Sequence, residues 1–161
     1  MAGPAEFLLG EFRRSVDERF RLSVPQSLVE ELTSAGAELF LAKERPGCLS
    51  LWNAAQWQDK LDAGVQLVQS KIRAGRLEGR VAEVQQLGRL LSTRHKTVQL
   101  AGRGRLLLPE GFREFLGVEP GGDVLVVGAA VCVEIWRPDA WTACLDEQIP
   151  AFRQLLDELS G

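Results

Sequence analysis

The sequence predicts an α+β fold, mainly β, in which two copies of one structural unit are joined by a helical segment. The phrase from Arg21 to Pro25 returns as Arg105 to Pro109, which sets the offset between the copies. Around each phrase, short apolar runs alternate with turn residues, which is typical of β-strands. Between the copies, the segment from Val65 to Leu91 carries apolar residues at helical spacing.

The internal repeat extends well beyond that phrase, and the alignment needs no gap. Besides Arg21, Leu22 and Pro25 with their counterparts, the same offset aligns Arg19 with Arg103, Glu30 with Glu114, Leu32 with Leu116, Leu41 with Leu125, Cys48 with Cys132, Trp52 with Trp136, Trp57 with Trp141, Leu61 with Leu145 and Asp62 with Asp146. Average composition would give roughly three or four chance identities over this length. We therefore infer a duplicated unit.

Each copy predicts the same series of elements. In the first copy they are a strand at 11–16, a turn at 17–20, a strand at 21–24, a helix from Pro25, a hairpin of 38–43 and 48–52, and a helix capped by Asn53. In the second copy the hairpin strands are 123–127 and 131–136, joined by the turn 128–130, and Pro138 begins the helix.

Two helices are predicted between the copies, because Gly75 and Gly79 interrupt the helical pattern. After Pro150, the segment 151–159 predicts a short amphipathic helix that could contact a second chain. The chain thus divides into a first repeat at 7–57, a helical connecting arm at 58–91, a second repeat at 92–141 and a C-terminal helical tail at 142–161.

Composition excludes several classes of protein. With 45% hydrophobic and 25% charged residues, the 161-residue chain has the makeup of a globular protein with its own core. The first fifteen residues do not read as a signal peptide, and no run of 18 apolar residues occurs, so we expect a cytoplasmic protein without a membrane partner. Three cysteines without a CxxC motif and a single histidine predict no disulfide framework, metal site or cofactor.

Catalytic chemistry is also poorly represented, so we expect no enzyme. His95 is the one histidine, and the motifs of hydrolases, metalloproteases and phosphate-binding loops are missing from the sequence. His95 is interpreted as a surface residue, with a phosphate contact as the alternative. The four tryptophans and the cysteines are predicted to pack in the core.

The charge is unevenly distributed along the chain. The formal net charge is −3, yet residues 71–113 hold ten basic and three acidic side chains, whereas residues 114–161 hold two basic and nine acidic ones. Such asymmetry indicates a localised basic surface, although a solvated, arginine-rich helix would give the same count.

Basic side chains gather around the strand-turn-strand at the start of each copy. Guanidinium groups suit phosphate oxygens and guanine edges, so a rigid sheet with paired arginine turns predicts a surface that binds double-stranded DNA. A solvated or interface-pairing role is the alternative. The predicted DNA-binding residues are Arg13, Arg14, Asp17, Arg19, Arg21, Lys96, Arg103 and Arg105.

These motifs resemble the MraZ family of bacterial transcriptional regulators. The resemblance rests on the segments 17–25, 48–52 and 104–109, on 134–136, and on Trp57 and Trp141. It implies two SpoVT-AbrB-type repeats that form one double-split, swapped-hairpin AbrB-like β-barrel with flanking helices. It further implies ring-like homo-oligomers that bind repeated sites upstream of a division and cell-wall gene cluster, in the cytoplasm and associated with the nucleoid.

The family signature in each repeat is an aspartate, three residues and then an arginine, usually with glycine just before the arginine. The chain departs from this signature once in each repeat. The first repeat has Phe20 where glycine is usual, which costs about 1–2 kcal/mol if that position needs a positive φ, or else requires a different turn. The second repeat has Ala101 where the aspartate is usual, so Arg105 lacks the partner that Asp17 offers Arg21. We expect the two repeats to contribute unequally, with a ring-forming interaction or scaffold protein that has lost DNA binding as the alternative.

Overall fold

The computed structural model describes residues 7–161. Its strands are β1 (Leu8–Ser15), β2 (Arg21–Ser23), β3 (Leu39–Arg45), β4 (Cys48–Asn53), β5 (His95–Val98), β6 (Arg105–Leu107), β7 (Asp123–Ala130) and β8 (Val133–Trp136). Its helices are α1 (Gln26–Leu32), α2 (Ala54–Arg73), α3 (Val81–Thr93), α4 (Phe112–Leu116) and α5 (Pro138–Ser160). None of these helices combines the length and the apolar composition needed to cross a bilayer.

The two repeats share one antiparallel sheet of six strands in the order β1-β7-β8-β4-β3-β5, and a separate ribbon of β2 and β6. The first strand of each repeat pairs with the hairpin of the other repeat. Strand β1 of the first repeat pairs with β7 of the second, and β5 of the second repeat pairs with β3 of the first. At the centre, Ser50 lies opposite Glu134, and in the ribbon Leu22 lies opposite Leu106. Both pairs join equivalent positions of the two repeats, so an approximate two-fold axis relates them.

The main core lies between one face of the six-stranded sheet and the β2–β6 ribbon. Leu22 and Leu106 of the ribbon belong to the same buried cluster as the inward side chains of β3, β4, β7 and β8 and the apolar faces of α1 and α4. On the opposite face of the sheet, two smaller clusters form around Trp52 and Trp136 beneath the first turns of α2 and α5. The molecule therefore has three layers, with the ribbon and the long helices on opposite sides of the sheet.

The prediction that the tryptophans and cysteines pack in the core is confirmed for three tryptophans and all three cysteines, whereas Trp141 is half-buried at the edge of its cluster. Trp52, Trp57 and Trp136 are buried, and the indole rings of Trp52 and Trp57 lie 5.7 Å apart, matched by 5.3 Å between Trp136 and Trp141. All three cysteines are free thiols in buried positions, and burial raises the pKa of Cys132 to about 12.

Local sequence accounts for most helix boundaries. The Asn53 side chain accepts a hydrogen bond of 3.0 Å from the backbone N–H of Ala55, which caps α2 as predicted. Pro138 occupies the first turn of α5, where its missing N–H leaves no helical bond unmade. Gly75 and Gly79 adopt positive φ values and separate α2 from α3.

One part of the predicted fold class is corrected. The fold is α+β, but "mainly β" is wrong, because the five helices contain more residues than the eight strands. Helix α5 continues through Pro150 instead of restarting after it, and α2 runs without a break from Ala54 into the segment that begins at Val65, so both helices are longer than the sequence pattern indicated. Among residues 7–161 the strands form two open sheets, and no closed barrel is seen.

The second hairpin also differs from its prediction. Gly128 lies inside β7 instead of in the turn, which falls after Ala130. A Cβ on Gly128 would approach the backbone of Leu8 and Leu9 to about 2.4–2.5 Å, so glycine permits β1 to pair closely with β7. Ala130 takes the positive φ that the turn requires.

The gapless repeat alignment is wrong in one pair of strands. Phe40 is opposite Trp52 and Leu125 is opposite Trp136, so Phe40 and Leu125 are the structural counterparts. Leu41 instead faces the main core, whereas Leu125 faces the other side of the sheet. An irregularity in β3 between Lys43 and Arg45 compensates for the one-residue shift before β4.

Candidate nucleic-acid interface

The β2–β6 ribbon turns one face outward. Leu22 and Leu106 point into the core, and alternation along the strands places Arg21, Ser23, Arg105 and Leu107 on the opposite face. Arg21 is paired with Leu107, and Ser23 with Arg105, so the two arginines are diagonal neighbours across the ribbon. A two-stranded antiparallel ribbon of this kind fits the major groove of B-DNA.

In the first repeat, Asp17 fixes the turn that precedes Arg21. Its Oδ1 accepts hydrogen bonds from the backbone N–H groups of Arg19, at 2.8 Å, and Arg21, at 2.9 Å, while Oδ2 accepts one from Nε of Arg21, at 2.9 Å. The backbone N–H of Arg21, with the other contacts of Arg21 and Arg19, holds the pKa of Asp17 below its usual value. The side chain of Arg21 is therefore oriented before any ligand binds.

In the second repeat, the corresponding turn has no carboxylate, and the backbone carbonyl of Ala101 accepts the arginine N–H that Asp17 Oδ1 accepts in the first repeat. Ala101 and Arg105 exchange backbone hydrogen bonds of 2.8 and 2.9 Å. None of the ion pairs found within residues 7–161 involves Arg103 or Arg105, and both side chains are exposed. The guanidinium of Arg105 thus keeps its charge available and its side chain unbraced.

Phe20 and Gly104 occupy equivalent positions, and both adopt a positive φ, 58° and 87°. The carbonyl of Phe20 accepts from the N–H of Leu108, and that of Gly104 from Val24, each at 2.8 Å. Phe20 therefore adopts the positive φ of the glycine position, but the two turns are not identical, because Gly102 has a positive φ of 50° and Glu18, at the equivalent position, does not.

Most of the other predicted DNA-binding residues lie on the side of the six-stranded sheet that faces the ribbon. Arg19 and Arg103 lie exposed in the two turns beside the ribbon. Arg14 and Lys96 lie on the two edge strands, where alternation places them on the core side of the sheet, next to Phe12 and opposite Leu41.

Arg13 lies on the opposite face of β1 from the ribbon and forms an ion pair of 2.7 Å with Asp123. We therefore leave it out of the candidate interface. His95 is half-buried and also turned to that face, with its ring centroid 5.2 Å from that of Phe40 and 5.3 Å from that of Trp57, so it is not the freely exposed surface residue that was expected. Burial and the neighbouring Arg94 lower the pKa of His95.

The sequence interpretation missed two residues of the outward ribbon face. Ser23 and Leu107 share that face with the two arginines, and Leu107, the last residue of β6, is 55% exposed. The alternation of Arg21, Ser23, Arg105 and Leu107 against the buried leucines was the available signal. An exposed aliphatic group beside guanidinium groups can contact the methyl group of thymine.

Comparisons with known proteins all find similarity to proteins named MraZ. The family model described as "MraZ protein, putative antitoxin-like" matches residues 93–158. A relative from Syntrophomonas wolfei, named transcriptional regulator MraZ, is 27% identical over 151 residues, covering 94% of this chain and 95% of the relative. Relatives of the same name from Azotobacter vinelandii and Heliobacterium modesticaldum are 28% and 26% identical, covering 91% and 94% of this chain and 90% and 95% of their own.

Proposed function

The chain belongs to the MraZ family, and on that premise we propose that it regulates transcription by binding duplex DNA through the outward face of the β2–β6 ribbon. The observation that carries the proposal is the placement of Arg21 and Arg105 as diagonal neighbours on a rigid two-stranded ribbon. The ribbon is held from behind by Leu22 and Leu106 in the main core. A surface of this shape presents its side chains to base edges without rearranging.

The two arginines have different parts in this proposal. Arg21, held by Asp17, loses little side-chain freedom on binding and can make a directed bidentate contact with a guanine edge. Arg105, unbraced and close to Arg103, attracts phosphates without fixing the sequence. Leu107 adds an apolar contact beside them. The first repeat therefore reads sequence, and the second supplies electrostatic attraction.

We also propose that several copies act together as a ring-like homo-oligomer. One ribbon with two arginines covers less surface than the roughly 600–1,000 Å² of even a single compact DNA-binding module. Repeated presentation of the ribbon to repeated sites would multiply the contacts and raise the avidity. The proposed targets are repeated sites upstream of a division and cell-wall gene cluster, and we expect the protein in the cytoplasm, at the nucleoid.

The strand pairing supports an AbrB-type origin for this surface. The exchange of strands, β1 onto β7 and β5 onto β3, is what a swapped-hairpin arrangement requires. We propose that the β2–β6 ribbon and the six-stranded sheet together form a swapped-hairpin arrangement of the AbrB type.

The test is a titration of the full chain against a duplex taken from upstream of its own gene and against a scrambled duplex of equal length and composition. At about 0.15 M salt we expect the upstream duplex to bind at least about 100-fold more tightly. Equal affinity for both duplexes, or binding to neither, would overturn the proposal and favour the interaction or scaffold function.

A further inference from the structure

Helix α5 carries an apolar face that nothing in the described chain covers. Beyond Leu145 every residue of α5 is exposed, and Ile149, Phe152, Leu156 and Leu159, the tail stripe, follow helical spacing on one side. Phe152 is 63% and Leu159 78% exposed. A contiguous apolar face of this kind indicates a contact surface.

The internal repeat shows what covers the equivalent face in the first copy. Helices α2 and α5 both follow a central strand, and the paired tryptophans at their starts align the two helices at the repeat offset. That alignment matches Leu61 with Leu145, Val65 with Ile149, Val68 with Phe152 and Ile72 with Leu156. In α2, this stripe faces α3. The second copy has no helix corresponding to α3 within residues 7–161.

Helix α3 leaves the space beside α2 only partly filled. The arm groove, of about 490 Å³, is lined by Leu61, Val65 and Val68 of α2 and by Val84, Gly88 and Leu91 of α3. No residue of α3 is buried. A Cβ on Gly88 would meet no other atom within 4 Å, although glycine within a helix costs about 1 kcal/mol relative to alanine. The missing side chain leaves room for another group to approach α3 closely.

Charge complements this match of apolar surfaces. Around the tail stripe, Asp146, Glu147, Asp157 and Glu158 outnumber the single cation Arg153. Helix α3, the turn before it and the residue after it carry four arginines and two glutamates, the arginines being Arg76, Arg80, Arg89 and Arg94. Pairing of two α5 helices would bring like charges together. Pairing of α5 with the arm brings opposite charges together.

The tail stripe and the arm groove of one chain start from opposite ends of the central strand pair. Strands β4 and β8 are antiparallel neighbours, and α2 and α5 follow their C-terminal ends directly. The occupant of the arm groove must therefore come from another molecule.

We propose that the tail stripe of one copy docks in the arm groove of a second copy, where it forms a third helix beside α2 and α3. The contact is heterologous, so each chain offers one stripe and one groove, and the contact can propagate from copy to copy. This inference rests on the proposed self-association but not on DNA binding.

The experiment compares sedimentation of the wild-type chain with three variants, without DNA. Phe152→Asp places a charge in the stripe, and Gly88→Leu fills the groove with a good helix former. Gln154→Glu adds a charge on the opposite face of α5 as the matched control. We expect the first two to raise the dissociation constant by about 100-fold or more and to sediment as single chains of 17.8 kDa. The control should assemble like wild type.

A mixture of the two disruptive variants gives the sharper result. Phe152→Asp keeps an intact groove and Gly88→Leu keeps an intact stripe, so together they should form a complex of two chains that cannot grow. Circular dichroism of Gly88→Leu should show no loss of helix, which separates blocked docking from unfolding. Assembly of both variants like wild type, or a mixture that stays at single-chain mass, would overturn this surface. A wild-type protein that is itself monomeric would overturn both this surface and the proposed self-association.

Discussion

At the scale of single residues, the two repeats use different side chains to fill the same space behind the arginine turn. A Cβ on Gly104 would lie 2.8 Å from a methyl group of Val29, which therefore occupies the space that a side chain would need. In the other repeat Arg113 stands at the position equivalent to Val29, and its guanidinium lies 4.1 Å from the centroid of the Phe20 ring. A cation–π contact of this kind contributes about 0.5–2 kcal/mol, which offsets the cost of a positive φ at Phe20.

This exchange predicts that Phe20 and Arg113 are energetically coupled. Phe20→Gly combined with Arg113→Val recreates the glycine and valine of the other turn, so the double variant should be more stable than the sum of the single effects by about 0.5–2 kcal/mol. Denaturant unfolding of the four proteins measures this coupling. Effects that add to within about 0.3 kcal/mol, as independent sites do, would show that the two positions do not compensate each other.

At the scale of elements, the centre of the six-stranded sheet holds a carboxylate where the other repeat has a hydroxyl. The indole N–H of Trp136 donates to Glu134 at 3.0 Å, and that of Trp52 donates to Ser50 at 2.9 Å. The Ser50 hydroxyl in turn donates to Glu44 at 2.7 Å. Burial, reinforced by the negative charge of Glu44, raises the pKa of Glu134 against the opposing hydrogen bond from Trp136.

A raised pKa makes Glu134 a source of pH-dependent stability. Because the pKa of Glu134 is higher in the folded chain than in the unfolded one, protonation of Glu134 stabilises the folded chain. This stabilisation is fully present at pH values below the usual pKa of 4.5 and is lost as the pH rises through the folded pKa. Glu134→Gln keeps an acceptor for Trp136 without a charge, so it should be more stable than wild type at pH 7, with the difference shrinking toward pH 4.

Unfolding midpoints between pH 4 and pH 8 provide the measurement. Glu110→Gln, at an exposed position, is the matched control and should follow the wild-type profile. A Glu134→Gln variant that is less stable than wild type at pH 7 would show that the charged carboxylate stabilises the sheet.

Elements set by local interactions were predictable, and those set by distant ones were not. Asn53 and Pro138 begin helices through contacts within a few residues, and the glycines at 75 and 79 break the arm in the same local way. Gly128 was predicted to lie in a turn, but glycine is required there because the backbone of Leu8 and Leu9 packs against it. That contact joins residues far apart along the chain, so the local sequence does not show it. The one-residue shift between β3 and β7 also arises only from pairing with β4 and β8.

At the scale of the whole molecule, three layers decide which basic side chains can act together. The arginine turns and the bracing of Arg21 by Asp17 were predictable from the sequence, since both depend on residues within one turn. The assignment of Arg13 to the far face of the sheet was not, because it depends on the register of β1 with β7. The exposure of Leu107, in contrast, could have been predicted from the alternation of side chains along β6, because its neighbour Leu106 is buried.

The most direct measurement compares Arg21→Ala and Arg105→Ala on the upstream and scrambled duplexes at two salt concentrations. Arg21→Ala should lose about 1–3 kcal/mol per site on the upstream duplex only, and so remove the sequence preference. Arg105→Ala should weaken binding to both duplexes alike and reduce the salt dependence, because a phosphate contact carries no sequence information. If Arg105→Ala removes the preference while Arg21→Ala leaves it intact, the assignment of sequence reading to the first repeat is contradicted.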